Sequence, residues 1–559
     1  YFVEGNRKMA ERYGIVVSTS HCEPMMRNSA TEWDLAGKGD YNFLKNRQAV
    51  VDYWTDRLKE LGHSDNIFTM GMRGKHDGRM IGVKNTHEYK DALNAVLQVQ
   101  DSLLRQYIHP DSKKIPQQFV PYKEVLDVYR AGLEVPDHIT LVWPDDNFGY
   151  IRHFPDEKER KRTGGNGVYY HTSYWGEPHD FLWLGIVQPS LMYQQMKLAY
   201  DRNMRKIWVL NVGDIKPSEY LTEFFLDMAW DINLSGCKSG SGVVFSHLGN
   251  WLNQTFGKKT GKELLPLMKD FYLLSHIRKP EFMGNTRTYD KRHEQIADLP
   301  WSTEEINERL EQFKKLSDRV EKLYATVPSN RKDAYFEMIQ YPVQASNEMN
   351  KKMLYAQFAR HTPSDSASLW KKSDAAYDSI VSLTRRFNSL LDGKWNHIIS
   401  TAPRGLIVFD KVKRTASSTA LVSSPAPLQL WNGTEHDAVT GQHTVIDGLG
   451  HSGKAIYLGK GGTVEYEYRN FRKDSLTVEV CLVPTHAVEG GKLRFAVSTD
   501  DREPQVFDCE TAEYSEEWKV NILRAQAVKT ARFPSGSRKG RIKITALDEG
   551  VVIDQIRLR

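Results

Sequence analysis

The feature that most constrains this chain is an alternation of short apolar runs with helical stretches. Gly14-Ile15-Val16-Val17-Ser18, Ile67-Phe68-Thr69-Met70, His138 to Trp143, Gly167 to His171 and Lys206 to Leu210 read as buried strands. Helical periodicity covers Phe2 to Tyr13, about His87 to Ile108 and about Leu191 to Met204. Short apolar strands separated by helices imply a parallel sheet covered on both faces. Each run ends in polar residues: Ser20 to Glu23, Arg73 to Asp77, Asp145 to Asn147, His171 to Tyr174, and Asn211 to Asp214. A (β/α)8 barrel assembles its active site from those ends. The alternative is a doubly wound open sheet, but no GxGxxG follows any strand. The expected fold class is α/β, with a (β/α)8 TIM-like barrel over residues 1–256. The opening helix feeds straight into a buried strand, which reads as the second half of a βαβ unit and the sequence as a fragment.

The texture changes twice more. Residues 257–400, with Thr303 to Leu323 and Asp333 to Arg360 as long helical segments, read as a helical bundle. Past Pro403, short runs recur between Gly-rich turns: Leu406 to Phe409, Lys454 to Leu458, Leu476 to Leu482, Lys492 to Val497, Arg541 to Thr545 and Val551 to Ile556. Residues 401–559 therefore read as a β-sandwich, with Ser417 to Pro427 as linker or loop.

Composition excludes several classes. Lys and Arg number 76 against 71 Asp and Glu, and a net charge of +5 is too thin for a nucleic-acid track. No stretch approaches the ~18 apolar residues of a membrane span. Four cysteines without CxxC spacing build neither a disulfide scaffold nor a zinc site. Cys481 and Cys509 read either as a pair or as buried free thiols. No metal and no cofactor are expected.

The polar strand ends carry the chemistry. His21 and Glu23 flank Cys22 ahead of Pro24, which stops the strand and aims both side chains from a turn; a salt-bridged loop is the other reading. Trp143-Pro144-Asp145-Asp146-Asn147 places two acids and an amide after a strand. Only one acid needs to face a site, while the other binds a hydroxyl or caps the next segment. Tyr169 to Asp180 (YYHTSYWGEPHD) holds two histidines, four aromatics and two acids, among them His171, Tyr174 and Glu177. His179 and Asp180 also read as caps of the following segment. Asn211 suits vicinal hydroxyls. Arg73, Lys75 and His76 supply positive charge, as structural ion pairs or as partners of an acidic substrate group. No GxSxG, P-loop or HExxH is present. Carboxylates at separate strand ends are what glycoside hydrolysis requires.

The runs HCEPM (His21 to Met25), GMRG (Gly71 to Gly74), WPDDNFGYIR (Trp143 to Arg152), GVYYHTSYWGEPHDFLWL (Gly167 to Leu184), IWVLNVGDIKP (Ile207 to Pro217) and FFLDMAWD (Phe224 to Asp231) resemble glycoside hydrolase family 115. RKPEF (Arg278 to Phe282), YPVQAS (Tyr341 to Ser346) and KWNHI (Lys394 to Ile398) do so too. The resemblance covers about residues 1 to 400 strongly and the sandwich more weakly. It implies a xylan α-1,2-glucuronidase that removes glucuronic acid or its 4-O-methyl ether from glucuronoxylan with inversion. It also implies an N-terminal domain and a first barrel strand that this sequence lacks. By motif, Glu23, Asp145 and Glu177 are the implied catalytic carboxyls, with acid and base unassigned between them. By the same motifs Tyr174 and Asn211 are the implied substrate contacts, and the strand-end reading adds His21, Arg73, His76, Asp146, Asn147 and His171 as candidate contacts. A secreted or periplasmic location and a homodimer are further expectations.

Overall fold

The computed structural model describes residues 4–61, 65–288, 296–415, 421, 426–469, 475–500, 502–534 and 539–559. Most of the expected Ser417 to Pro427 linker lies outside them. The chain divides into two compact units. The first comprises Tyr1–Asp145, Arg152–Tyr170 and Leu198–Val209; the second comprises Asp146–Ile151, His171–Lys197 and Leu210–Arg559.

The α/β part is a six-stranded parallel sheet of β1 (Val17–Ser18), β2 (Asn66–Thr69), β3 (Gln117–Phe119), β4 (Thr140–Pro144), β5 (Asn166–His171) and β6 (Met204–Asn211). Its strands lie in sequential order, β1-β2-β3-β4-β5-β6. A doubly wound sheet would reverse direction at a switch point; this one does not. Registers such as Val17 opposite Asn66, Gln118 opposite Thr140 and Leu141 opposite Asn166 are parallel. Helices Arg47–Leu61, Thr86–Tyr107, Glu124–Arg130 and Pro189–Asp201 connect the strands. Thr86–Tyr107 starts at Asn85, whose side chain accepts from the Glu88 N–H, and it buries Tyr89, Leu93, Val96, Leu97 and Leu104 on one stripe. Val120, Tyr122 and Val142 pack together on one face of the sheet, with Tyr169, Ile207 and Val209 against them. Gln118 ties three strands by donating to the Ser18 hydroxyl at 2.8 Å and the Thr69 hydroxyl at 3.1 Å.

Strand β3 answers to no apolar run in the sequence. It is three residues long, Gln117-Gln118-Phe119, and its neighbours Pro116 and Pro121 cannot donate to a ladder.

In the second unit, the helices Val243–Phe256, Lys258–Ile277, Thr303–Tyr324, Tyr341–His361 and Ser366–Asn388 form the helical region. The single helix expected over Asp333 to Arg360 is interrupted by a wide turn, Phe336–Gln340, just ahead of Pro342. Proline removes an N–H and crowds the carbonyl four residues back, and a wider turn relieves both. Leu406 to Phe409, expected as a strand, is instead a tight turn over Ile407–Phe409. Val408 and Phe409 are buried, and Lys352 draws the Val408 carbonyl inward at 2.6 Å.

The C-terminal residues form an antiparallel β-sandwich. One sheet has strands 527–534, 475–482, 551–558, 454–458 and 443–447 in that order, with 429–432 beside 551–558; the other has 505–508, 494–499, 539–546, 463–469 and 438–440. The core between them includes Ile456, Tyr466, Val478, Phe495, Ile542 and Ile556. A helix, Glu516–Arg524, is inserted in the sandwich. Cys481 and Cys509 are separate buried thiols, each pushed up to about 12 by burial. Among the described residues, no helix is long and apolar enough to cross a membrane.

Candidate active site

In the first unit, the C-terminal ends of β1, β2 and β3 converge on one carboxylate. Asp77 Oδ1 lies 3.0 Å from His21 Nε2 and also accepts from Arg73 Nη1, while Oδ2 accepts from Lys123 Nζ at 2.7 Å. Burial would raise the Asp77 pKa, but the His21 bond, Arg73 and Lys123 together hold it well below the usual carboxylate range. Burial lowers His21 to about 4 against the pull of Asp77, so at neutral pH the imidazole is uncharged. Its Nε2–H then donates to Asp77 and Nδ1 is left as an acceptor. The ring lies 4.1 Å from that of Tyr122 and 5.7 Å from that of Tyr169.

Arg73 joins two carboxylates. Besides Asp77, it donates to Glu124 from Nε at 3.1 Å and from Nη2 at 2.8 Å, a planar fork that lysine cannot reproduce. Its guanidinium is buried, and Glu124 and Asp77 outweigh that burial to raise its pKa. The loop carrying Arg73 and Asp77 closes by a Gly74 N–H to Gly78 carbonyl bond of 2.8 Å; a Cβ on Gly74 would fall 2.3 Å from the Arg79 carbonyl oxygen. Non-glycine residues with positive φ gather here: Met25 (57°), Met26 (60°), His76 (54°) and Lys123 (52°). Each such conformation costs on the order of 1–3 kcal/mol and persists only where the surroundings impose it.

Glu23 is half-buried. Its Oε2 accepts from the Ser20 hydroxyl at 3.1 Å and the Ser20 N–H at 3.4 Å; burial raises its pKa against these bonds and the charge of His76. Burial also pushes Cys22 up to about 11, which leaves an unreactive thiol. His76 is exposed, and Lys75 pairs with Asp34. Asp145 is buried at the end of β4, with its N–H on the Tyr169 carbonyl at 3.0 Å.

The remaining expected residues belong to the second unit. Asp146 is fully buried: Oδ1 accepts from the N–H groups of Phe148 (3.0 Å) and Tyr150 (3.2 Å), and Oδ2 from the Trp518 indole at 2.9 Å, with His486 Nε2 at 3.4 Å. Asn147 is buried with φ at 72°. His171 is buried 5.8 Å from the ring of Tyr174, which in turn packs 5.5 Å from Phe148. Glu177 pairs with Lys519 at 3.0 Å. The Asn211 carbonyl accepts from the Thr172 N–H (2.9 Å) and hydroxyl (3.0 Å).

Comparison with known proteins supplies the lineage. The family model "Glycosyl hydrolase family 115" matches residues 2–282, and the model of that family's C-terminal domain matches residues 436–559. A solved family GH115 4-O-methyl-α-glucuronidase, BtGH115A, with specificity for decorated arabinogalactans, is 48% identical, with a TM-score of 0.95 over 100% of this chain and 72% of that one. The chain belongs to glycoside hydrolase family 115. An exo-β-1,3-galactanase from Phanerochaete chrysosporium (16% identical, 24% of this chain and 30% of that one, TM-score 0.19) also matches. So does the C-terminal CBM6 of LamC, a laminarinase from Zobellia galactanivorans (12% identical, 23% and 97%, TM-score 0.19). No curated protein sequence matches.

Within this family 115 chain, sequence reading singled out His21, Glu23, Arg73, His76 and Asp145 in the first unit, and Asp146, Asn147, His171, Tyr174, Glu177 and Asn211 in the second. It passed over Lys123 and Glu124, which follow the unrecognised β3, and gave Asp77 no role. It also passed over His486, Trp518 and Lys519, which reach the loops after β4 and β5 from the sandwich.

Proposed function

We propose that this chain releases α-linked glucuronic acid, or its 4-O-methyl ether, from a decorated polysaccharide by single-displacement hydrolysis. The observation that carries the reading is the Arg73 bridge, which holds the carboxylates of Asp77 and Glu124, from two neighbouring strand ends, beside a neutral His21. Inversion needs a protonated carboxyl at the leaving oxygen and a carboxylate holding water on the opposite face, ~6.5–9.5 Å apart. Glu23 suits the acid, because burial favours its protonated form. Glu124 suits the base: the Arg73 fork bonds both of its oxygens, which fixes its plane and leaves a lone pair on each for water, whereas three groups, His21, Arg73 and Lys123, share Asp77. Asp77 thus orients its neighbours. A second reading keeps Asp145 as the base, favoured by its fixed backbone at the end of β4. Glu177, bound to Lys519, is a third carboxyl of the strand-end loops. The six sequential parallel strands support a (β/α)8-type barrel as the scaffold.

His76, exposed in the loop after β2, is assigned to the uronic carboxylate; Arg73 is 3% exposed with its guanidinium on Asp77 and Glu124, and it holds those two carboxylates in place. The BtGH115A relative makes decorated arabinogalactan the first substrate to consider, with glucuronoxylan the second. A polymeric substrate favours a secreted or periplasmic location. The test is anion-exchange chromatography of sugars released from glucuronic-acid-decorated arabinogalactan and from glucuronoxylan. Free uronic acid, with arabinogalactan the better source, is expected; none from either polymer contradicts the proposal.

A further inference from the structure

Among the described residues, Trp175 and Trp230 are the exposed tryptophans, at 55% and 93%. Trp175 differs from a stray surface residue in how firmly it is held. The preceding Tyr174 exchanges both backbone hydrogen bonds with Phe181 at 3.0 Å, which closes a narrow hairpin. Inside it, a Cβ on Gly176 would fall 2.3 Å from the Tyr174 phenol oxygen, so the turn has no room to fold further inward. The Arg404 guanidinium stacks on the indole, 4.3 Å from the ring centroid. Arg404 is itself fixed by Asp180 at 2.5 Å, a carboxylate whose side chain is 1% exposed and whose other oxygen lies 3.1 Å from the Thr288 hydroxyl.

We infer that the outer face of Trp175 is a stacking platform for a neutral pyranose of the polysaccharide that carries the uronic acid. Pyranose rings present C–H faces that pack on an indole. The buried Asp180 cancels the charge of Arg404, so the platform has no cation left over for a uronate and favours an uncharged sugar. Arg404 occupies one face of the indole, which leaves the other for the ligand. The inference rests on the glucuronidase reading above.

The test uses two measurements on the full chain, with Trp175→Ala and Trp175→Phe. Affinity electrophoresis through arabinogalactan stripped of uronic acid reads binding without catalysis; steady-state kinetics compare decorated arabinogalactan with an aryl α-glucuronide. Retardation of the wild type should weaken about tenfold in Trp175→Ala, the scale of losing one aromatic anchor, and recover partly in Trp175→Phe. KM on the polymer should rise by a similar factor, with a much smaller change on the aryl glycoside. Equal retardation of wild type and Trp175→Ala, or equal losses on both substrates, overturns the platform. A wild type that is retarded but releases no uronic acid would remove the glucuronidase reading while leaving the platform standing.

Discussion

Trp518 donates its indole N–H to Asp146 at 2.9 Å, joining residues 372 positions apart in the sequence. The donor stands on the helix inserted in the sandwich; the acceptor is the first residue after β4. With two backbone N–H groups on its other oxygen, the fully buried Asp146 carboxylate locks the turn through Phe148 and Tyr150. The sandwich thereby shapes a strand-end loop.

Trp518→Phe keeps most of the ring volume and deletes that bond. A hydrogen bond to a buried charge contributes ~1.5–3 kcal/mol, so the variant should lose about that much stability. Amide exchange at Phe148 and Tyr150 should quicken with it. Unaltered protection at both amides would show that Trp518 does not hold the turn.

His21 predicts a pH dependence of stability. Its folded pKa of about 4 lies below the ordinary 6.5, so between these values the unfolded chain binds the extra proton and stability falls as pH falls. The contribution is fully present above pH ~6.5 and lost through pH ~4, on the order of 3 kcal/mol in all. Thermal unfolding of His21→Asn should show a flatter slope over that window than the wild type. Parallel curves would contradict the neutral imidazole.

Replacing Arg73 by Ala should lower turnover by orders of magnitude, because Asp77 and Glu124 lose their shared partner, while binding of free glucuronic acid changes little. Arg73→Lys should recover little, since one ammonium cannot span both carboxylates. Steady-state kinetics check the turnover, and calorimetry with glucuronic acid checks the affinity. Near-normal turnover in Arg73→Ala would show that the bridge does not hold the site.

The two routes into the site differ in how legible they were. Strand ends such as His21, Glu23 and Asp145 stand out because short β-branched or aromatic runs lead into them. Glu124 did not, because β3 is polar, three residues long and flanked by prolines; its burial comes from neighbouring strands and from Gln118 bonding across them. Arg73 was visible as a cation, but its role as a bridge depends on Glu124, 51 positions away. Trp518 and Lys519 sit on a helix within a run of strands, and only folding sets them against Asp146 and Glu177. For Cys481 and Cys509 the reading as buried free thiols, rather than as a pair, is the one the structure bears out.

The most direct measurement is proton NMR of the first sugar released from decorated arabinogalactan, recorded before mutarotation, for the wild type and for Glu23→Gln, Glu124→Gln and Asp145→Asn. Single displacement on an α-linkage predicts initial release of the β anomer. Glu23→Gln and Glu124→Gln should lower the rate by orders of magnitude with folding intact, and Asp145→Asn by less; the reverse order between Glu124 and Asp145 would transfer the base to Asp145. Initial release of the α anomer, or near-normal rates in all three variants, would contradict the two-carboxylate inverting mechanism.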